Sequence, residues 1–379
     1  MHLEYGRLTR TQSEYQPMAN TGSTSPIIML FVAVLILIHT IFPILLPLHF
    51  VQAQNSNASQ NNTYQDIPTT ISREAQEELQ KITLYPSNLK VPDPSDIEGW
   101  KKQYNYSESI FRELSQPIME SFQSNITETK LGGLQVLDVK PKNWNDSGKV
   151  LVYAHGGAYT SGSANSALGS PVLAANATGL RVISINYTVA PFSKWNQTTD
   201  EVISVIQALK DQGYSLEDDI AMFGDSAGGG LVTGSILKMR DKGLGMPAAV
   251  VLWSPWLDLT GNGDTYITLK DADPFLSYDS FLKNAAGAYA DPVDQMNPYA
   301  SPVYGNFNKG YPPTLIQGGT REIFLSEFAR LYQALDQANI PVKLDIYEGM
   351  PHVHQYLYKT PESEIALSKM DDFLKMYLN

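Results

Sequence analysis

From about Leu134 onward the chain repeats one pattern, a short apolar run followed by a stretch of helical periodicity. The runs are LQVLDV, KVLVYAH, RVISINYT, DIAMFG, AAVVLWS, PTLIQGG and VKLDIYEG. Stretches such as VLVYA and AAVVLW carry apolar side chains on both faces, which suits parallel strands covered by helices above and below. Helices are predicted from about Thr199 to Leu209, from Ala227 to about Asp241, from about Leu325 to Ala338, and over the final ESEIALSKMDDFLKMYL. This alternation specifies a mostly parallel, doubly wound α/β sheet. Ligands of such sheets bind beyond the carboxyl ends of the strands, so the residues just after each run are the ones to read for chemistry. Two segments stand outside the alternation. One is amphipathic helical sequence between Ile71 and Phe122, interrupted by the Pro-rich YPSNLKVPDPSD; the other, from Leu257 to Lys309, reads as an insertion over that edge.

The run DIAMFG ends in Gly224-Asp225-Ser226-Ala227-Gly228, with a strand before it and a helix after it. A serine on so tight a bend needs neighbours small enough for strand and helix to pass closely, and glycine stands on both flanks. The helix behind it offers unpaired N–H groups and the positive end of a dipole, which favour an oxyanion. A Gly-rich turn or a phosphate-binding loop would share these features. A second glycine turn, His155-Gly156-Gly157-Ala158, follows the run KVLVYA, where backbone N–H groups can point at a substrate oxygen.

A serine nucleophile needs a base, and imidazole titrates near neutrality. Of the six histidines, His2, His39 and His49 belong to the N-terminal segment and His155 opens the glycine turn. His352 and His354 remain, both after the last run. His352 stands on the loop and is the preferred base, while His354 reads as a helix-start or packing residue. The base in turn needs a carboxylate to fix its tautomer. After PTLIQGG come Glu322, then Glu327 at a helix start and Asp336 within that helix. Glu322 is nearest the strand end and is preferred; Glu327 fits an acidic residue placed in a first helical turn.

Nucleophile, acid and base in that chain order follow the α/β-hydrolases, not chymotrypsin or subtilisin. From about Lys149 to its end the chain resembles the hormone-sensitive-lipase-like esterases, the alpha/beta hydrolase fold-3 group. The likeness rests on HGGAYTSGS, NYTVAP, GDSAGGGL, SPWLDLT, NPYASPVYG, PPTLIQGGTREIFLSE and EGMPHVHQ, in that order. It implies an α/β-hydrolase fold under a helical cap formed by residues 64–125 and 257–309, and hydrolysis of carboxylic esters with short to medium acyl chains. It implies Ser226 as nucleophile, His352 as base, Glu322 as acid, and Gly156, Gly157 and the N–H of Ala227 as oxyanion donors, with no metal or organic cofactor. This sequence departs from the common pattern at Glu322, where Asp is more frequent, at Ala158 for a glycine, at Phe192 for Glu and at Asn186 for Asp. An amidase, peptidase or deacetylase would use the same machinery, and a catalytically silent ligand-binding relative would keep the same pocket.

Residues 27–51 contain no Asp, Glu, Lys or Arg, and about 20 apolar residues suffice to cross a bilayer. Pro43 and Pro47 argue against a buried core helix there. Arg7 and Arg10 precede the segment and no Lys or Arg follows until Arg73, which places residues 1–26 in the cytoplasm and the remainder outside. The segment is expected to be a membrane anchor, or a signal cleaved near Val51-Gln52-Ala53. Residues 52–63 read as a solvated linker and residues 64–379 as the hydrolase domain. Asn-x-Ser/Thr sequons, among them Asn145 and Asn186, suit an exported chain. A net charge of -12 gives no attraction to nucleic acid. The absence of cysteine excludes thiol proteases, thiolate metal sites and disulfide scaffolds.

Overall fold

The computed structural model describes Tyr64, residues 67–83 and residues 91–378. The leader, the apolar segment 27–51, the linker before Tyr64 and the first half of the Pro-rich break lie outside the described residues. Among the described residues no helix is long and apolar enough to cross a membrane.

Eight strands form one sheet: β1 (Asn125–Leu131), β2 (Leu134–Lys140), β3 (Val150–Ala154), β4 (Arg181–Ile185), β5 (Ile220–Asp225), β6 (Ala249–Trp253), β7 (Thr314–Gly319) and β8 (Val342–Tyr347). Their order is β1-β2-β4-β3-β5-β6-β7-β8. The pairs β1/β2 and β2/β4 are antiparallel and the others parallel. Among the described residues the α-helices are α1 (Arg73–Leu79), α2 (Ile97–Phe122), α3 (Gly169–Thr178), α4 (Trp195–Asp211), α5 (Ala227–Asp241), α6 (Thr265–Thr268), α7 (Lys283–Tyr289), α8 (Leu325–Gln337) and α9 (Pro361–Tyr377).

The apolar runs became strands because both their faces are covered. Val150 and Val152 face a core shared with Val202 and Val205 of α4, Leu231 of α5 and Leu331 of α8. Leu151 and Tyr153, the alternate positions, face Val172 of α3 and Met370 and Phe373 of α9. Strand β1 had no such signal. Its sequence NITETKL is mostly exposed, as an edge strand allows, and it is held by its pairing with β2. The run RVISINYT is shorter than expected: β4 stops at Ile185, and Asn186 turns its Oδ1 to the N–H of Ala164 at 3.0 Å.

The two segments expected to form a cap meet. Asn284 Nδ2 of α7 donates to Pro92 O (3.0 Å), and the Tyr64 hydroxyl donates to Ala272 O (3.2 Å). Helix α2 starts on an Asp96 cap to the N–H of Gly99. Lower down, the Ser115 hydroxyl donates to Ser166 O and accepts the N–H of Gly169 at the head of α3.

Close passage explains the glycines around Ser226. A Cβ on Gly228 would lie 2.0 Å from Ala154 O at the end of β3, and one on Gly224 would lie 2.4 Å from the Gly228 carbonyl carbon. Gly229 and Gly230 seat α5 against the loop after β6, where a side chain would meet Pro255 and Trp256 O at 2.7 and 2.2 Å.

Candidate active site

The register brings the ends of β3, β5, β6, β7 and β8 to one edge of the sheet. Ser226 sits on the β5–α5 bend at φ 53° and ψ -126°, a conformation that non-glycine residues rarely adopt. Backbone bonds hold it there: Ser226 N–H donates to Trp253 O (2.9 Å), and Trp256 N–H donates to Ser226 O (2.8 Å). Although Ser226 caps α5, its hydroxyl makes no cap bond. Positive φ recurs at Ala158, Tyr159, Ser254 and Val353, all on loops at this same edge.

His352 Nδ1 lies 2.8 Å from Glu322 Oε2. Because a buried carboxylate accepts, the ring carries its proton on Nδ1 and presents Nε2 as the acceptor. The other carboxylate oxygen, Oε1, takes the Gly319 N–H (2.6 Å) and the Ser254 hydroxyl (2.8 Å). Ser254 Oγ also accepts the Val353 N–H at 2.9 Å, so one hydroxyl ties Glu322 to the loop that carries His352. Burial pulls the pKa of His352 down, but the hydrogen bond and charge of Glu322, together with Asp273 and Asp225, leave it raised above the ordinary 6.5. No hydrogen bond joins Ser226 Oγ to His352 among the described residues; such contacts are often long until substrate tightens them.

The alternatives separate cleanly. His354 is buried against Tyr347, neither ring nitrogen has a partner among the described residues, and desolvation pushes its pKa down to about 4. Asp336 is exposed on α8. Glu327 does more than sit in a first helical turn. It is fully buried, accepts the N–H groups of Leu257 and Asp258 and the Tyr266 hydroxyl, and so fastens the insertion to α8. Desolvation raises its pKa well above the carboxylate range.

One sequence expectation needs correction. The N–H of Gly156 points at the buried Asp225 carboxylate (Oδ1, 2.9 Å) and is not free for an oxyanion. The same Oδ1 accepts the Tyr153 hydroxyl (2.6 Å), and Oδ2 accepts that of Ser170 (3.2 Å). Asp225 therefore holds the glycine turn against the serine bend. The N–H groups of Gly157, Ala158 and Ala227 have no partner among the described residues. Beneath the turn, His155 stacks on Tyr187 with ring centroids 4.2 Å apart, and its Nδ1 donates to Gly156 O at 2.7 Å. Desolvation pushes the pKa of His155 down to about 4, so it serves as a neutral prop.

A family model described as alpha/beta hydrolase fold matches residues 151–356. An acetyl-hydrolase of Streptomyces hygroscopicus is 33% identical over 229 residues, 60% of this chain and 76% of that protein. The chain belongs to the alpha/beta hydrolase fold family. Among solved structures, esterase E25 matches with a TM-score of 0.78 at 25% identity, covering 86% of this chain and 99% of that one. An esterase from the bacterial hormone-sensitive lipase family matches with a TM-score of 0.66 at 26% identity, over 73% and 99% of the two chains. This α/β-hydrolase is thus an enzyme of the esterase type.

Within the hydrolase, Ser254 and Asp225 are the site residues that sequence reasoning missed. Both stand in motifs already singled out, SPWLDLT and GDSAGGGL, directly after β6 and at the end of β5. A cleft of about 480 Å³ opens between α2 and the segment after the glycine turn, lined by Glu108, Arg112, Ser163 and Ser166 among others; neither Ser226 nor His352 lines it.

The charge around His352 has a consequence for pH. With His352 as the base proposed below, which must be neutral to act, kcat/KM for an ester is expected to rise with pH through the His352 pKa and to reach half its plateau above 6.5. The stability linked to this raised pKa runs the other way: it is fully present below the unfolded value and is lost as pH rises through the folded one. A pH profile of kcat/KM measured from about pH 5 to 9 checks the first statement. Half-plateau below 6.5 would contradict it.

Proposed function

We propose that the chain is a carboxylic ester hydrolase working through Ser226, His352 and Glu322. One observation carries the reading: the Glu322–His352 pair and the strained Ser226, whose hydroxyl makes no cap bond, stand on loops at one sheet edge, beside N–H groups that have no partner among the described residues. His352 Nε2 removes the Ser226 proton as Oγ attacks the ester carbonyl, and Glu322 steadies the imidazolium. The oxyanion is held by the N–H groups of Gly157, Ala158 and Ala227, replacing the expected part of Gly156. Collapse expels the alcohol with the proton from His352, and water then attacks the acyl-enzyme with the same base. No step calls for a metal or organic cofactor.

The name esterase among the relatives supports an ester over an amide, and the name acetyl-hydrolase supports a short acyl group over a long one. Turnover of p-nitrophenyl esters of increasing acyl length, compared with the matching p-nitroanilides, tests this. Ester turnover that declines with chain length, with no anilide turnover, is the expected result. Anilides cleaved as fast as esters would favour an amidase. The charge-free segment 27–51, preceded by Arg7 and Arg10 and followed by no Lys or Arg until Arg73, supports a catalytic domain outside the cytoplasm, anchored or released by cleavage.

A further inference from the structure

Asp273 belongs to the insertion, not to the sheet, yet it grips the loop that carries the acid. Its Oδ2 accepts the N–H of Ile323, the residue after Glu322, at 3.0 Å. Its Oδ1 accepts the N–H groups of Phe275 and Leu276, each at 3.0 Å, which fixes the carboxylate in its own turn. The carbonyl of Ile323 is held as well, by the Thr265 hydroxyl at 2.7 Å, so both backbone groups of that residue are bonded to the insertion. The preceding carbonyl, Ala272 O, takes the Tyr64 hydroxyl, and Phe275 packs against the apolar cluster to which Tyr64, Ile71 and Met350 belong. The N-terminal cap segment and the insertion therefore close on one turn, and that turn ends on the triad.

Electrostatics point the same way. Three carboxylates face His352: Glu322 from the β7–α8 loop, Asp273 from the insertion and Asp225 from the end of β5. Asp273 in turn faces His352 and Glu322, and burial pushes its carboxyl up to about 6. When ionised it adds to the negative charge that acts on the imidazole.

We propose that Asp273 is a positioning residue for the reaction, fastening the insertion to the acid loop so that Glu322 stays on His352 and adding negative charge that steadies the imidazolium. The proposal rests on the reading of Ser226, His352 and Glu322 given above. The mutational signature is an unusual pair of effects. Asp273→Asn keeps the size of the side chain but removes its charge, and one of its two ends must now present an amide N–H to a backbone N–H. The maximum rate falls because the acid loop is held less well, while the acid limb of the pH profile moves to lower pH because the imidazolium has lost a neighbouring charge.

The test is the pH dependence of kcat and KM for p-nitrophenyl acetate in the full chain and in Asp273→Asn and Asp273→Ala, with Tm measured alongside. Expected are a kcat lowered by about tenfold, a KM within about twofold, and an acid limb displaced downward by about half a unit. Should neither variant fold, Asp273→Glu, which keeps the charge, is expected to remain active with its limb at the wild-type pH; a folded Glu variant with a displaced limb would count against the assignment. A lowered Tm with kcat and the limb unchanged overturns the proposal and marks Asp273 as a structural tie alone. Fluorophosphonate labelling of Ser226 in the wild type separates the two failures: if it proceeds normally, the proposed triad stands whatever becomes of Asp273.

Discussion

Replacing Ser226 with alanine is expected to lower kcat for a p-nitrophenyl ester on the order of 10⁵-fold or more, since loss of a serine nucleophile leaves only binding and oxyanion stabilisation. The fold has little reason to respond. The Ser226 side chain makes no cap bond to α5, and alanine meets the same backbone strain at φ 53° as serine does. The bonds that hold the bend, from Ser226 N–H to Trp253 O and from Trp256 N–H to Ser226 O, are made by the backbone and survive the change. Tm is therefore expected to stay within about 2 °C of the wild type. A variant that kept most of its ester turnover would place the nucleophile elsewhere.

Glu322→Gln is the second large effect, with kcat expected to fall on the order of 10⁴-fold, as when a triad carboxylate becomes an amide. The hydrogen bonds around the carboxylate give the reason. Oε1 is surrounded by donors, the Gly319 N–H and the Ser254 hydroxyl, and Oε2 faces the His352 Nδ1–H. A glutamine that keeps its oxygen toward Gly319 and Ser254 must aim its NH₂ group at His352 Nδ1. The ring then moves its proton to Nε2 and can no longer take one from Ser226. The flipped amide restores the tautomer but sets N–H against N–H at Gly319 in a fully buried site, which is costly. Steady-state kinetics over a pH range decide the matter, and wild-type turnover in this variant would remove Glu322 from the mechanism.

The fold was readable where the physics is local and repetitive. Runs buried on both faces, such as VLVYA and AVVLW, announce interior strands, and the glycines flanking Ser226 announce a close crossing. The polar edge strand β1 announces nothing, because half-exposed NITETKL derives its structure from the partner it pairs with. The residues proposed for the triad could be named from the sequence because each follows a separate strand, and strand ends meet at one edge whatever the loops do. What escaped depends on which loops touch. Nothing near Gly156 in the sequence says that the carboxylate of Asp225, on another strand, takes its N–H. The same holds for Ser254, which bridges Glu322 and the His352 loop across sequence separations of 68 and 99 residues. Glu327 was readable only as a helix-start acid, since its partners Leu257, Asp258 and Tyr266 lie far back in the insertion.

As the proposed nucleophile of an esterase, Ser226 is the residue that a covalent serine probe should modify. Treating the protein with a fluorophosphonate and mapping its peptides by mass spectrometry is expected to find a single adduct on Ser226, absent from Ser226→Ala and formed more slowly in Glu322→Gln. An adduct on a different residue, or an active enzyme that takes no label, would contradict that role for Ser226.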